Sequence, residues 1–300
     1  MAIRHSLLEA LRRAPRFLGR EAAASAGRFI ESSRGPDGGF RGRGASSDLY
    51  YTGFALGCLA ALGESISAEP ILSYLRSFGD GEGLDLIHLS SLARSWALLD
   101  DLGVPSRNPG TESIRSSLLE RVAAHRSGDG GFNRDPAAAA GSAYGCFLGL
   151  GAYGDLGALL PRREGLEACL SSLFLGGGYA NEAGIPVPTA PATAAALVVL
   201  REIGIVAPQA SVDWLIEQTR ARGGFAAMPG VPEADLLSTA TTLHALALAG
   251  TDLSPLRPSC LEFVRAHLAE GGGFRDRPGG GEPDCEYTFY GLLALGHLEH

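Results

Sequence analysis

The chain has 300 residues, of which 45% are hydrophobic, and its formal net charge is −8 at pH 7. This composition allows a large core in one or two domains, and the negative charge disfavours a nucleic-acid partner. No run of about 18 apolar residues occurs, so we expect no membrane span. The five cysteines are scattered, and no lysine is present. We therefore expect free thiols and a cytoplasmic protein, and a lysine Schiff-base mechanism is excluded.

The two ends of the chain differ from the rest. Residues 1–20 contain arginines throughout and no continuous apolar segment, which predicts an amphipathic helical extension rather than a secretory signal. Residues 298–300 resemble the start of an affinity tag, and we exclude them from functional reasoning. We expect residues 21–297 to form a single domain.

Six glycine-rich turns follow one another through that domain, at steps of 44, 48, 47, 46 and 49 residues. They end at Phe40, Leu84, Phe132, Tyr179, Phe225 and Phe274. Such a period is typical of an array of supersecondary units. A helix with one charged face precedes each turn, and a helix that is apolar almost all round follows it. Glycine pairs suit the end of the first helix, where a positive φ is needed.

Six helical hairpins of this kind can close into a double ring, with six buried inner helices around a cavity and six outer helices around them. The predicted fold is therefore all-α, an α/α toroid of about twelve helices without strands of consequence. The inner helices should begin near Asp48, Asp85, Ser142, Thr189, Asp235 and Asp284. If the ring closes, the four aspartates form an arc on one side of the cavity mouth, joined by Glu286 and His88. Each aspartate could equally be a simple N-cap.

These repeats resemble those of the prenyltransferase and squalene-cyclase superfamily, which form α/α toroids. The resemblance extends over residues 21–296. It implies an isoprenoid- or terpenoid-related enzyme that works by prenyl transfer or cyclisation on an isoprenoid diphosphate or another apolar small molecule. The superfamily also contains non-catalytic domains, so the alternative is a toroid that binds an apolar ligand or a protein partner.

The protein prenyltransferase β subunits hold zinc through an aspartate and a cysteine spaced D-x-C, and a histidine three residues after an aspartate in the next repeat. In this chain Asp48 and His88 match two of the ligands, and Tyr50 stands at the cysteine position. The resemblance therefore implies Asp48 and His88 as metal ligands. Zinc or magnesium could bind, but neither has a complete motif. His88 could instead be a buried or capping histidine.

The segment "GGFRGR" resembles the family segment whose arginine binds the isoprenoid diphosphate, and Arg43 is the matching residue. Tyr51 resembles the tyrosine that assists it. A guanidinium suits a diphosphate because its planar fork donates two parallel hydrogen bonds, although a loop arginine is usually just solvated. The terpenoid cyclases instead protonate an alkene with a D-x-D-D aspartate. The nearest segment here, "LLDDLG", lacks the first aspartate.

Aromatic residues cluster on repeats 6, 1, 2 and 3, while repeats 4 and 5 carry small residues. An aromatic side that faces a small-residue side would leave an apolar pocket for a prenyl chain, and aromatic faces stabilise carbocations. Ordinary helix packing would explain the cluster equally well. The predicted catalytic residues are Asp48, His88 and Asp284. The predicted substrate-binding residues are Arg43, Tyr50, Tyr51, Phe54, Trp96 and Tyr287.

Overall fold

A computed structural model describes residues 3–104 and 109–299 of the chain, so Met1, Ala2 and His300 of the predicted extension and tag remnant lie outside the described residues. Helix α1 (Ile3–Leu11) precedes the repeats. The outer helices are α2 (Pro15–Ser32), α4 (Ala68–Arg76), α6 (Pro109–Ala124), α8 (Glu164–Leu173), α10 (Gln209–Glu217) and α12 (Arg257–Arg265). The inner helices are α3 (Leu49–Leu62), α5 (Leu86–Asp101), α7 (Ala143–Asp155), α9 (Ala190–Glu202), α11 (Leu236–Leu248) and α13 (Cys285–His297).

The inner helices form a closed ring. Each packs against the next from α3 to α13, and α13 packs back against α3. The outer helices lie over the seams between them, and one short antiparallel hairpin joins β1 (Phe174–Leu175) to β2 (Gly178–Tyr179). The predicted all-α toroid is therefore confirmed. Within the described ranges, no helix combines the length and the apolarity that a bilayer crossing requires.

All six inner helices begin at a polar N-cap, as the sequence predicts. The side chain of each cap accepts a hydrogen bond from a backbone N–H in the first turn, for example Asp235 from Ser238 at 2.7 Å and Asp284 from Tyr287 at 2.8 Å. These bonds satisfy amides that the start of a helix leaves without a partner. The caps are Asp48, Asp85, Ser142, Thr189, Asp235 and Asp284.

A glycine in each hairpin turn allows one repeat to touch the next. Gly38 has a φ of +93°, and a Cβ there would overlap the backbone of Pro70 in α4. In the last repeat Gly272 has a φ of +98°, and a Cβ there would overlap the backbone of Ser25 in α2. The last repeat thus meets the first in the same way as neighbouring repeats meet, and this contact closes the ring.

A threonine ties several turns to their inner helices. The N–H of Phe225 donates to Oγ1 of Thr239 at 2.9 Å, and the same hydroxyl donates to the carbonyl of Asp235 at 2.6 Å. Both Phe225 and Thr239 are fully buried. The same bond joins Phe40 to Thr52, Tyr179 to Thr193 and Phe274 to Thr288. This position is four residues after the N-cap, so one side chain fixes the turn, the aromatic residue and the helix start together.

Helix α1 lies across the end of the ring where the inner helices terminate. It packs against α3, α7 and α13. The approach is close, since a Cβ at Gly296 near the end of α13 would overlap the carbonyl of Ala10. Helix α2 follows after a short turn and contains a break at Gly19, whose φ is 75°. We call the α1 end the floor, and we call the end where the inner helices begin the mouth.

Candidate functional site

The ring encloses a cavity of about 410 Å³. This volume lies in the range of small-molecule sites, roughly 300–1,000 Å³. One side of the wall is aromatic and is formed by Tyr50, Phe54, Tyr144, Phe147, Phe289 and Tyr290. The opposite side is formed by small residues of α9 and α11, namely Pro191, Ala192, Ala194, Ala195 and Thr241. The shape suits an extended apolar ligand that packs against aromatic faces.

The floor of the cavity is built by α1. Its residues Leu7, Leu8 and Leu11 line the cavity, and so does Arg4. Arg4 bridges the ends of two inner helices, because its guanidinium bonds to Asp101 on α5 and to Asp155 on α7, the latter at 3.1 Å. Arg94 reaches the same Asp155 at 3.0 Å. The lower cavity therefore holds charges that are already paired.

A hydrogen bond to a wall tyrosine, Tyr50, links the carboxyl group of Glu286 to the upper cavity. The hydroxyl of Tyr50 lies 2.7 Å from Oε1 of Glu286. Burial raises the pKa of Glu286 above its usual range, and the bond from Tyr50 only partly opposes that rise. None of the lining residues in the described part of the chain is itself an acid, so Tyr50 connects Glu286 to the cavity.

The predicted diphosphate ligand Arg43 is held at the mouth by acids. Its Nε lies 2.9 Å from Oδ2 of Asp284, and its Nη1 lies 3.5 Å from Oδ2 of Asp276. The guanidinium also sits over the ring of Tyr287, 5.4 Å from the centroid. Burial raises the pKa of Asp284, although the cap bond and Arg43 oppose the rise. Arg43 therefore neutralises a buried carboxylate, whose side chain is only 2% exposed.

A second polar group at the mouth joins repeats 1 and 2. Nδ1 of His88 lies 2.7 Å from Oδ1 of Asp85, and Nε2 lies 3.5 Å from Oδ2 of Asp48. Asp85 also accepts the backbone N–H of His88 and an ion pair from Arg134. Burial tends to raise the pKa of Asp85, but these partners outweigh it and hold the pKa below its usual range. The arrangement orients the imidazole and caps α5 at the same time.

These residues do not fit the zinc site of the protein prenyltransferases. Asp48 and His88 lie together, but Tyr50 at the cysteine position points its hydroxyl to Glu286 instead. Asp284 is tied to Arg43. Throughout residues 3–104 and 109–299, no group of three or more His, Cys, Asp or Glu side chains is arranged to hold a metal ion. The side chains at the mouth therefore do not form a complete metal site.

The structure separates the predicted site residues into two groups. Tyr50 and Phe54 line the cavity, and their ring centroids lie 4.9 Å apart. The others lie outside the described lining: Asp48, His88, Asp284, Arg43 and Tyr287 at the mouth, Tyr51 against Gly42, and Trp96 packed against the core. Asp48 and Asp284 act as caps. Their catalytic role, and the role of His88, stay predictions.

Sequence reasoning missed the residues that close the cavity. It identified α1 as an amphipathic helix, but nothing in the sequence indicates that its leucines complete the wall. It also missed His244, which lies in the wall on α11 and is only 3% exposed. The histidine occurs in the segment "STATTLHALALA", where one ionisable side chain in an otherwise uncharged helix was the available signal.

The geometry agrees with the comparisons with known proteins. The prenyltransferase alpha-alpha toroid domain matches residues 5–173 and 257–300. The chain belongs to this family. None of the curated proteins compared with the chain matches it.

Among solved structures, a protein from Actinoplanes matches with a TM-score of 0.62 at 17% identity, over 93% of this chain and 98% of that one. The type II terpene cyclase MstE from Scytonema, in complex with geranylgeranyl dihydroxybenzoate, matches with a TM-score of 0.60 at 15% identity, over 97% of both chains. A glycosidase matches with a TM-score of 0.51 at 10% identity, over 97% of this chain and 96% of that one. These toroids share the fold while their chemistry differs, so function must be argued from the site.

Proposed function

We propose that this toroid is an enzyme that binds an isoprenoid chain in its central cavity and cyclises it by proton chemistry. The observation that carries the proposal is the apolar, aromatic-walled cavity that a buried carboxyl group reaches through a wall tyrosine. The likeness in fold to a terpene cyclase complex supports the proposal and does not decide it.

The mouth favours cyclisation over prenyl transfer. Transfer needs a site for the diphosphate, and Arg43 is already paired with Asp284 and Asp276. Transfer to a protein also needs a thiolate acceptor, which the protein prenyltransferases activate with zinc. In this chain Tyr50 stands at the position of the cysteine that binds that zinc. A protonation-initiated reaction needs neither group. It needs an acid, a dry cavity and faces that stabilise positive charge.

Glu286 is the acid that this geometry favours. Burial raises its pKa and so favours the protonated carboxyl, whereas Arg43 opposes the same rise at Asp284, and the side chain of Asp48 is half-exposed. The carboxylate of Glu286 accepts the hydroxyl proton of Tyr50 in its hydrogen bond, and the protonated acid donates to Tyr50 instead. In that form Glu286 gives its proton to the oxygen of Tyr50, and Tyr50 gives its own hydroxyl proton to an alkene carbon. The alkene electron pair forms the new C–H bond and leaves a carbocation on the neighbouring carbon.

The wall then guides the cation. Phe54 and Phe289 lie edge to face with centroids 5.0 Å apart, and Tyr144 stacks with Phe147 at 6.4 Å. Aromatic faces attract a cation, by about 2 kcal/mol or more where water is excluded. The next alkene of the folded chain attacks the cationic carbon and closes a ring. Loss of a proton ends the reaction.

Product analysis tests this function. Purified protein is incubated with geranylgeraniol, geranylgeranyl diphosphate and geranylgeranyl dihydroxybenzoate, and the products are identified by mass spectrometry. Glu286→Gln and Tyr50→Phe should each lower cyclic product by about 10²- to 10⁴-fold, the usual contribution of a general acid. Asp48→Asn is the matched control, because asparagine also caps a helix. If Glu286→Gln still forms cyclic product and Asp48→Asn does not, the acid is Asp48 at the mouth and not Glu286.

A non-catalytic toroid is the second candidate. Two observations favour it. All four aspartates cap inner helices, and Arg43 forms an ion pair with one of them, Asp284. In this case calorimetry would detect binding of the same ligands, and no product would form from any of them. An apolar ligand that neither binds nor reacts would contradict both candidates.

A further inference from the structure

Two cysteines face each other at the seam between the third and fourth repeats. Sγ of Cys146 on α7 lies 3.7 Å from Sγ of Cys169 on α8. Both side chains are fully buried, and both are free thiols. To reach the length of a disulfide bond, about 2.0 Å, the two sulfur atoms must approach each other by about 1.7 Å. The pair is therefore placed for a bond between an inner and an outer helix.

The position of Cys146 holds threonine in four other repeats. Cys146 stands four residues after the N-cap Ser142. The equivalent residues are the threonines that bond the turn to the inner helix, namely Thr52, Thr193, Thr239 and Thr288. A hydroxyl serves this position elsewhere in the ring, so the fold does not require a thiol here.

The position of Cys169 holds an aromatic residue in the same four repeats. A Cβ at Gly131, the residue before Phe132, would overlap Sγ of Cys169. The equivalent glycines lie instead against a ring of the neighbouring outer helix, namely Tyr74, Trp214, Phe263 and Phe29. Both exceptions therefore fall on one seam, and together they bring two thiols into contact.

The surroundings of the pair favour reaction at Cys146 first. The contact with Cys169 lowers the pKa of Cys146, because a neighbouring thiol can donate a hydrogen bond to the thiolate, and this effect outweighs burial. The same contact and burial both raise the pKa of Cys169. The thiolate is the nucleophile in thiol oxidation, so Cys146 is the attacking sulfur and Cys169 the resolving one.

A glycine turn covers the pair. Gly131 and Gly141 lie directly over Sγ of Cys169, where a Cβ on either residue would overlap the sulfur. Neither residue has a side chain, and residues 133–140 between them are exposed or half-buried. Local opening of a surface turn exposes little apolar area and costs far less than global unfolding. A small oxidant can therefore reach the sulfur atoms while the ring stays folded.

We propose that Cys146 and Cys169 form an oxidation site, which hydrogen peroxide converts to a disulfide between α7 and α8. This inference does not depend on the proposed cyclisation. The thiolate of Cys146 attacks one peroxide oxygen, the O–O bond breaks, and hydroxide leaves behind a sulfenic acid. The sulfur of Cys169 attacks the sulfenic sulfur, the S–O bond breaks, and a second hydroxide leaves. The two thiol protons convert both hydroxides to water, so two thiols are oxidised and one peroxide is reduced.

The disulfide ties the cavity wall to the outer ring. Tyr144 and Phe147, on either side of Cys146, line the cavity. The bond joins residues that are 23 positions apart, and closing such a loop restricts the unfolded chain. The melting temperature of the oxidised protein should therefore exceed that of the reduced protein by about 4–8 °C.

Peptide mapping identifies the bond. Purified protein is treated with hydrogen peroxide, the remaining thiols are blocked, and the chain is digested with trypsin without a reductant. The chain has no lysine, so trypsin cleaves it after arginine, and the disulfide should join the peptides 135–162 and 164–201. The linked product should weigh two hydrogen atoms less than the separate peptides and should come apart with dithiothreitol.

Three variants complete the test. Cys146→Thr introduces the residue that four other repeats use, and both this variant and Cys169→Ser should lose the linked peptide and the rise in melting temperature. Cys260→Ser is the matched control, because Cys260 is equally buried on another outer helix, and it should retain both. Wild-type protein in which the pair stays reduced, stops at a sulfinic acid or bonds to other cysteines would overturn the proposal, whatever the variants do.

Discussion

The threonine that ties four of the six turns to their inner helices offers a direct test of the repeat architecture. In Thr239→Val the side chain keeps its shape and loses the hydroxyl. The carbonyl of Asp235 keeps its helical bond from the N–H of Thr239, so one group is orphaned, the N–H of the fully buried Phe225. An unpaired buried donor costs about 1–3 kcal/mol. For a chain of this size we expect the melting temperature to fall by about 2–6 °C.

Thr242→Val is the matched control for this change. Thr242 lies on the same helix and is also fully buried, and its hydroxyl has no hydrogen-bond partner in the described part of the chain. The same substitution there should leave the melting temperature unchanged or raise it slightly. Scanning calorimetry on both variants gives the comparison. Equal effects at positions 239 and 242 would refute the claim that the hydroxyl of Thr239 secures the turn.

Three further predictions concern the mouth, the metal and pH. Geranylgeranyl diphosphate and geranylgeraniol should bind with similar dissociation constants in calorimetry, because Arg43 is already paired. If the diphosphate binds about tenfold or more tightly, and Arg43→Ala abolishes that preference, Arg43 is a diphosphate ligand after all. Elemental analysis should find purified protein free of stoichiometric zinc; zinc that is lost in an Asp48→Ala, His88→Ala double variant would establish a metal site. The pKa of His297 is about 3 when folded, whereas unfolded histidine titrates near 6.5. Between pH 3 and pH 6.5, roughly, the unfolded state therefore binds more protons than the folded state. The free energy of unfolding should fall as the pH drops below about 6.5, by up to about 1.4 kcal/mol per pH unit for each histidine of this kind. Urea unfolding at pH 7 and pH 5 measures the slope, which should be shallower in His297→Phe; an unchanged slope would contradict a neutral His297.

The fold follows from local patterns in the sequence. The position of each N-cap is set by short-range chemistry, a polar side chain just ahead of an apolar run, and it recurs in every repeat. For that reason all six inner helices begin where the sequence predicts, including those with Ser142 and Thr189 as caps. Ring closure follows from the same repetition, because the contact of Gly38 with α4 recurs between Gly272 and α2.

The site could not be predicted to the same degree, because its contacts join distant parts of the chain. Arg43 matches a diphosphate-binding segment locally, and the acid that holds it, Asp284, is 241 residues away. Tyr50 and Glu286 are 236 residues apart, so their bond depends on ring closure. The pattern of α1 shows an apolar face but does not reveal what that face covers. The roles of these side chains depend on which residues lie next to them in space. The repeat pattern of the sequence does not specify those contacts.

Cyclisation of an isoprenoid, initiated by protonation, is the function that we propose for the cavity. The most direct test is to incubate the wild-type protein with geranylgeranyl dihydroxybenzoate and geranylgeraniol in D₂O and to determine the mass and deuterium position of the product. We expect a cyclic isomer with one deuterium on the carbon that received the first proton. A product without solvent deuterium, or ligand recovered unchanged from a saturated protein, would contradict it.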